Sequence, residues 1–275
     1  MSRRFENQVV WITGGGTGIG RALALALAEE GAKVVVSGRR AAPLDQLASQ
    51  HAAISARVCD VVDEQQVADT VASIVAEHGA LHMTVANAGY AVAGGVEELA
   101  LADWRRQFDV NLFGAVSTVK AALPHLRRAD GRVVLVGSVM AFLGLPRNAP
   151  YSASKAALRL LGHALSAELH GSGVSCTTVH PGFVATDIYK VKNDGSIDDQ
   201  RADRRPRKLI WSAERAAQVV LSAAHRRRRE LVFTGHGKLG AFIGRHAPWL
   251  THFAMTRAAG KKRTDALARG KASKS

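Results

Sequence analysis

The chain alternates short runs of β-branched and aliphatic residues with longer stretches in which apolar positions recur every three or four residues. The short runs predict strands over Gln8–Thr13, Lys33–Ser37, Ile54–Cys59, Leu81–Ala86, Arg132–Gly137, Val174–His180 and Glu230–Thr234. The longer stretches predict helices over Gly18–Glu30, Asp63–His78, Asp103–Arg128 and Ser152–His170. Runs such as VVLVG are apolar without interruption, so their strands are expected to be covered on both faces. This strand–helix alternation, with no internal repeat, points to a doubly wound α/β fold: a mostly parallel seven-stranded sheet with helices on both faces.

One stretch breaks the rhythm. In VVWITGGGTGIGRALALALA, Val9 to Ala28, an apolar run passes into glycines and threonines before an Ala/Leu-rich helix. Glycine inside a strand or helix costs about 0.5–1 kcal/mol relative to alanine, so a cluster at the boundary suggests a backbone that must come close to something. The cluster occupies the first strand-to-helix turn, where unpaired N–H groups at a helix N-terminus suit a pyrophosphate. Its spacing, Gly14-x-x-x-Gly18-x-Gly20, differs from the GxGxxG fingerprint. Taken alone, the turn is equally compatible with close packing of the helix on its strand.

Composition narrows the class. A chain of 275 residues, 47% hydrophobic and 22% charged, can bury the core of one large α/β domain. Trp11, inside the first strand, reads as core, and Cys59 and Cys176 lie in apolar runs as small buried hydrophobes, with no CxxC pair. The opening MSRRFENQ does not read as a signal peptide, and the most apolar segment, Val133–Pro146, is too short to span a bilayer. A cytoplasmic location is the expectation. The histidines, His163 and His170 among them, lack ligand spacing with carboxylates or cysteines, so no metal is expected.

The net charge of +14 is compatible with nucleic acid, an anionic membrane or an acidic substrate. The basic clusters RADRRPRK (Arg201–Lys208) and HRRRRE (His225–Glu230) read as solvated faces. They carry no interleaved aromatics, so a nucleic-acid partner is not expected. From Gly237 to Ser275 there are nine Lys/Arg and one acid, Asp265. Within that stretch Leu239, Phe242, Ile243, Ala247, Leu250 and Phe253 recur at helical spacing beside Trp249, with Pro248 bending or splitting the helix. The division expected is a dinucleotide-binding catalytic domain over 1–236 and a basic amphipathic extension over 237–275. An apolar stripe beside cations is a membrane-surface pattern; packing on the same subunit, a lid or an oligomer contact are the alternatives.

Candidate chemistry centres on YSASK. Tyr151 and Lys155 are four apart on a predicted helix, so their side chains emerge on one face. A free tyrosine has a pKa of about 10, too high for ready proton exchange near neutrality. A neighbouring ammonium and an oxidised nicotinamide would both favour the phenolate. The same spacing also occurs on ordinary surface helices, with Tyr half-buried and Lys solvated.

TGGGTGIG (Thr13–Gly20), NAG (Asn87–Gly89), YSASK (Tyr151–Lys155) and PG (Pro181–Gly182), in that order, resemble the motifs of the short-chain dehydrogenase/reductase family, over roughly Glu6 to Gly235. Ser138, thirteen residues before Tyr151, and Asn111, in the helix after the fourth strand, also stand where that pattern requires them. The resemblance implies a Rossmann-type fold and hydride transfer between a nicotinamide cofactor and a carbonyl or secondary alcohol. It implies that Tyr151 gives a proton to the substrate oxygen and that Ser138 hydrogen-bonds the same oxygen. Lys155 would hold the nicotinamide ribose, and Asn111 would order a water linking Lys155 to solvent. Cofactor contacts are implied for Gly14, Thr17, Gly18, Ile19 and Gly20, for Asp60 (at the adenine amine) and Val61, and for Asn87, Ala88 and Gly89. Tyr151, Lys155, Pro181, Gly182, Val184 and Thr186 complete them, the last two near the nicotinamide amide.

The segment VVVSGRR selects between cofactors. NAD sites usually carry an acid after the second strand to accept from the ribose 2′-OH, whereas an arginine accommodates a 2′-phosphate. Gly38 stands at the acidic position and Arg39 follows, so NADP is expected over NAD. Gly16 and Thr17 occupy the turn where some NADP-using relatives are basic, and Arg39 and Arg40 are alternatively plain loop residues. The substrate pocket, by resemblance, lies between Val139–Pro146 and Phe183–Lys190. Met140, Phe142, Leu143, Phe183, Ile188 and Tyr189 there suggest an apolar wall and a hydrophobic ketone, 3-oxoacyl or steroid-like substrate, although any of the six is equally compatible with ordinary core. His180 is read as a backbone contributor, and a homo-oligomer is expected. The alternative function, a membrane-peripheral cofactor-binding scaffold without catalysis, is opposed by the intact Asn111, Ser138, Tyr151 and Lys155.

Overall fold

Apolar residues at consecutive strand positions place side chains on both sides of a sheet, and in the computed structural model both sides are covered. The structure describes residues 3–203 and 205–257. Its strands are β1 (Val9–Thr13), β2 (Lys33–Gly38), β3 (Ile54–Val58), β4 (Met83–Ala86), β5 (Arg132–Val136), β6 (Ser175–Pro181) and β7 (Glu230–Phe233). They form one sheet in the order β3-β2-β1-β4-β5-β6-β7, parallel at every pairing. The helices are α1 (Gly18–Glu29), α2 (Ala41–Ala48), α3 (Glu64–His78), α4 (Leu101–Phe108), α5 (Gly114–Arg128), α6 (Ala149–Glu168), α7 (Ala213–His225) and α8 (Gly235–His246).

The period-two alternation of a strand decides which layer each residue joins. Val10 and Ile12 of β1 face a cluster with Leu23 and Leu27 of α1 and Val220 and Leu221 of α7. Val9 and Trp11 face the opposite cluster, with Val71 and Ile74 of α3, Leu126 of α5 and Leu158 of α6. Trp11 is fully buried there, and its indole N–H donates to Ser37 Oγ at 2.9 Å, so the large ring is accommodated without an orphaned donor.

Three features differ from the periodicity. The helices α2 and α7 were not among those predicted. The stretch expected as one helix over Asp103–Arg128 is divided by a wide π-type turn over Asp109–Phe113 between α4 and α5. The boundary expected between residues 236 and 237 falls inside α8, which begins at Gly235, and a helical stretch follows over 248–257. The part of the extension over 258–275 lies outside the described residues. No helix among the described residues is long and apolar enough to cross a membrane.

Candidate functional site

Parallel strands direct their carboxyl ends to one edge of the sheet, and the motif residues collect there. At the end of β1, Gly14 (φ 64°) and Gly18 (φ 53°) adopt left-handed conformations. A Cβ on Gly14 would stand 2.8 Å from Ala88 Cα, so the turn is packed directly on the NAG segment. Thr13 Oγ1 accepts from the N–H groups of Asn87 (3.1 Å) and Ala88 (3.2 Å), and Asn87 Nδ2 donates to Thr13 O and Gly14 O, both at 3.0 Å. Asn87 therefore braces the turn with its amide. A Cβ on Gly20 would collide with Gly14 O, which keeps α1 tight on the same turn, while Ile19 is buried beneath it. Thr17, at the N-cap of α1, makes no side-chain bond to the first turn. The glycines thus bound a tight turn at the N-terminus of α1, and the free N–H groups of a helix's first turn suit a dinucleotide pyrophosphate.

Around this turn, Gly38 ends β2 with open space beside it: a Cβ would meet only Leu44 methyls at 3.9 and 4.0 Å. Arg39 follows, exposed. After β3, Asp60 Oδ1 accepts from Val62 N–H at 3.1 Å, and Val61 is buried against Gly114. On the opposite flank, Pro181 ends β6, Gly182 follows and Val184 is buried. Thr186 reaches the glycine turn, so that a Cβ on Gly18 would stand 2.9 Å from its Cγ2.

The residues expected to handle the proton lie at the end of β5 and the start of α6. Ser138 caps the 3-10 turn Val139–Phe142, its Oγ accepting from Met140 N–H at 3.2 Å. Lys155 is buried, and its Nζ donates to Val136 O, the last residue of β5, at 2.8 Å. Burial lowers its pKa to about 8. Nζ lies 5.9 Å from the Tyr151 ring centroid. Burial raises the Tyr151 pKa, while the hydrogen bond from Ser138 and the charge of Arg205 pull it down. Burial outweighs both, so the phenol stands above its ordinary value here, contrary to the lowering expected from a neighbouring ammonium, and Lys155 is not among the groups that pull it down. Gly89 keeps the centre compact, since a Cβ there would lie 3.0 Å from Asn111 Oδ1 and 3.6 Å from Lys155 Nζ. Asn111 sits in the π-type turn, with Oδ1 accepting from Tyr90 N–H (3.1 Å) and Nδ2 donating to Tyr90 O (3.1 Å) and Ser154 Oγ (3.2 Å). Its side chain is a strut between the NAG segment and α6.

Two features at this edge have no sequence signal. Arg205, inside a cluster expected to be solvated, pairs with Asp203 at 2.7 Å and donates to Val184 O at 2.8 Å and Thr186 O at 3.4 Å. His180, expected only as backbone, is fully buried with Nδ1 3.2 Å from Ser138 O and Nε2 3.1 Å from Glu230 Oε1. The Glu230 carboxylate also accepts from Arg159 (2.7 Å) and Arg245 (3.0 Å) and lies 3.2 Å from His163 Nε2. Burial would raise its pKa, yet the hydrogen bonds from His180, Arg159 and His163 outweigh burial and hold it far below the carboxylate range. Three of the residues weighed as substrate wall or core pack within or beside this hub. Phe142 packs edge-on against His180, with Arg159 and Arg245 over its ring at 4.7 and 5.1 Å. Leu143 meets the glycine face of α8, and Phe183 stacks on His236. Met140, Ile188 and Tyr189 are half-buried, and the Arg205 guanidinium lies 5.4 Å from the Tyr189 ring centroid.

Comparison with known proteins accords with this arrangement. The family model described as short chain dehydrogenase matches residues 8–196, more than half of the chain. The chain belongs to the short-chain dehydrogenase/reductase family. This short-chain dehydrogenase/reductase is 34% identical over 230 residues to a Mycobacterium tuberculosis protein named as an oxidoreductase, SadH, covering 79% of this chain and 83% of that protein. It is 36% identical over 190 residues to an uncharacterized oxidoreductase of Myxococcus xanthus, covering 66% and 74% of the two chains. Its fold matches a Burkholderia phymatum short-chain dehydrogenase/reductase, solved in complex with NAD, with a TM-score of 0.74 and 26% identity over 83% of this chain and 89% of that one. As a family member the protein is an oxidoreductase, and a nicotinamide cofactor is typical of such enzymes.

Proposed function

We propose that the protein transfers a hydride between NADP(H) and the carbonyl or secondary alcohol of a small hydrophobic substrate. The observation that carries this reading is the convergence of Ser138, Tyr151 and Lys155 beside a glycine turn at the N-terminus of α1, a setting that suits a dinucleotide pyrophosphate. The nicotinamide, when bound, supplies or accepts the hydride. Tyr151 holds the proton destined for the substrate oxygen, on a phenol whose own environment includes Ser138. Ser138 Oγ, fixed at the head of its 3-10 turn, is placed to donate to that same oxygen as negative charge develops on it. Lys155, with one donor committed to Val136 O, has two further donors for the ribose. The test is absorbance-monitored NADPH oxidation across a panel of lipophilic ketones. Turnover on members of the panel supports the assignment; a protein that binds NADPH and reduces none of them removes it.

The choice of NADP rests on Gly38 and Arg39, and the NAD bound to the Burkholderia protein makes NAD the competing cofactor. No carboxylate stands at the end of β2 to accept from a ribose 2′-OH, and Arg39 offers a planar donor pair to a 2′-phosphate. Arg39→Ala is expected to raise KM for NADPH roughly tenfold or more, the loss of a charge-assisted hydrogen bond, and to leave KM for NADH nearly unchanged. Equal effects on the two cofactors, measured by initial rates, would show that Arg39 does not discriminate.

A further inference from the structure

α8 has two unlike faces. Its inner face is made of small residues: a Cβ on Gly237 would stand 2.9 Å from Val139, one on Gly240 3.3 Å from Leu143, and one on Gly244 would overlap Phe142 O. Ala241 is buried on the same side, and Arg245 closes the contact by pairing with Glu230 at 3.0 Å. The outer face carries Leu239 and Phe242, 61% and 63% exposed, and the helical stretch 248–257 adds Trp249 at 70% with Leu250 and Phe253 also exposed. Other exposed large apolar residues are scattered singly, whereas these five fall within fifteen residues. Such a concentration of exposed large apolar side chains in one short segment marks an interaction surface.

The charge around it selects the partner. The sequence contains no Asp or Glu from Leu231 to Thr264. Lys238 and Arg257 are exposed beside the stripe, and the Arg257 guanidinium lies 4.8 Å from the Phe253 ring centroid. A second copy docked about a two-fold axis would bring this acid-free surface against itself. Anionic lipid headgroups supply the negative charge that the segment lacks, and a leucine, phenylalanine and tryptophan face flanked by cations suits the boundary between headgroups and acyl chains.

We propose that the outer face of α8 and residues 248–257 dock the enzyme on an anionic membrane surface. This docking is independent of the cofactor assignment. It leaves the edge that holds Ser138 and Tyr151 anchored through Arg245 and Glu230, on the inner side of the helix.

The full chain is tested by sedimentation with vesicles of phosphatidylcholine alone and of phosphatidylcholine mixed with phosphatidylglycerol. Binding is expected to the anionic vesicles and to be at least roughly tenfold weaker on the neutral ones. Raising salt from about 0.1 M to about 1 M is expected to weaken binding, because headgroup attraction is screened. Trp249→Ala combined with Phe253→Ala is expected to lower binding roughly tenfold or more, since two large side chains no longer enter the interface. Lys238→Glu, at an exposed position, is expected to lower it without touching the apolar face. Far-UV circular dichroism and the ketone assay check that each variant is folded. Light scattering on the same samples gives the oligomeric state. Retention of the full chain in the supernatant with anionic vesicles overturns the proposal. So does a double variant that binds vesicles normally but changes subunit number, which would make this face a contact between copies of the chain.

Discussion

Tyr151→Phe is expected to remove turnover while leaving the folded enzyme and its cofactor binding in place. The ring stays half-buried in α6, so packing is conserved and only the phenolic oxygen is lost. That oxygen holds the transferable proton, and a positioned general acid contributes about 10²–10⁴-fold to a rate. The kcat on a responsive ketone should fall by that factor, with NADPH affinity, followed by its fluorescence, changing little. Burial raises the Tyr151 pKa, so the phenol is a stable proton reservoir in the direction of reduction, whereas oxidation needs the phenolate. Removal of an alcohol's proton should therefore be favoured by rising pH, and reduction should persist to lower pH. Near-wild-type kcat in the phenylalanine variant would take Tyr151 out of the reaction.

The fold was legible where burial on both faces made strands uniformly apolar, as in Val9–Thr13 and Arg132–Val136. It was less legible in α2, whose eight residues complete barely two turns, and in α7, where alanines occupy most buried positions and give a weak periodic contrast. The π-type turn over Asp109–Phe113 shifts backbone hydrogen bonds without any residue that announces the shift, and it is this turn that presents Asn111 to Tyr90 and Ser154. Within the site, Tyr151 and Lys155 were visible because neighbours on one helix face follow from spacing alone. The position of the lysine was not: its Nζ is drawn to a carbonyl of β5, a contact across nineteen residues. His180, Arg159 and Glu230 come together only through sheet order and the placing of α6, with separations of 50 and 71 residues from the carboxylate. A charged cluster reads as solvated in sequence because nothing local shows which of its members finds a partner; Arg205 found one in Asp203 and another in the Val184 carbonyl.

Glu230→Ala is expected to cause the largest loss of stability of any single change near the site. The substitution strips the shared acceptor from His180, Arg159, His163 and Arg245, and leaving a buried charge unpaired costs about 3–5 kcal/mol. Arg245 is partly exposed and recovers water, so a loss of about 3 kcal/mol is expected, a fall in Tm of about 6–12 °C for a domain of this size. Glu230→Gln, which keeps an acceptor oxygen, should lose less. Acid should reproduce part of the effect. Burial pushes the His180 pKa down from its ordinary 6.5, so below that value the unfolded chain takes up a proton that the native ring resists, and stability declines as pH falls. The Glu230 carboxyl, held far below its ordinary 4.5, adds a second decline once pH drops beneath that value, because protonation of the native carboxyl is then penalised. Thermal melts of the wild type from about pH 8 to about pH 4 should fall in both windows, and the lower one should flatten in Glu230→Gln. Since His180 also faces the Ser138 carbonyl and Arg245 ties α8 over Phe142, the alanine variant should lose kcat at temperatures where it remains folded. A variant that melts like the wild type would show that the carboxylate is not the centre of this network. One that melts lower yet keeps its full kcat would confine Glu230 to stability and separate it from the positioning of Ser138.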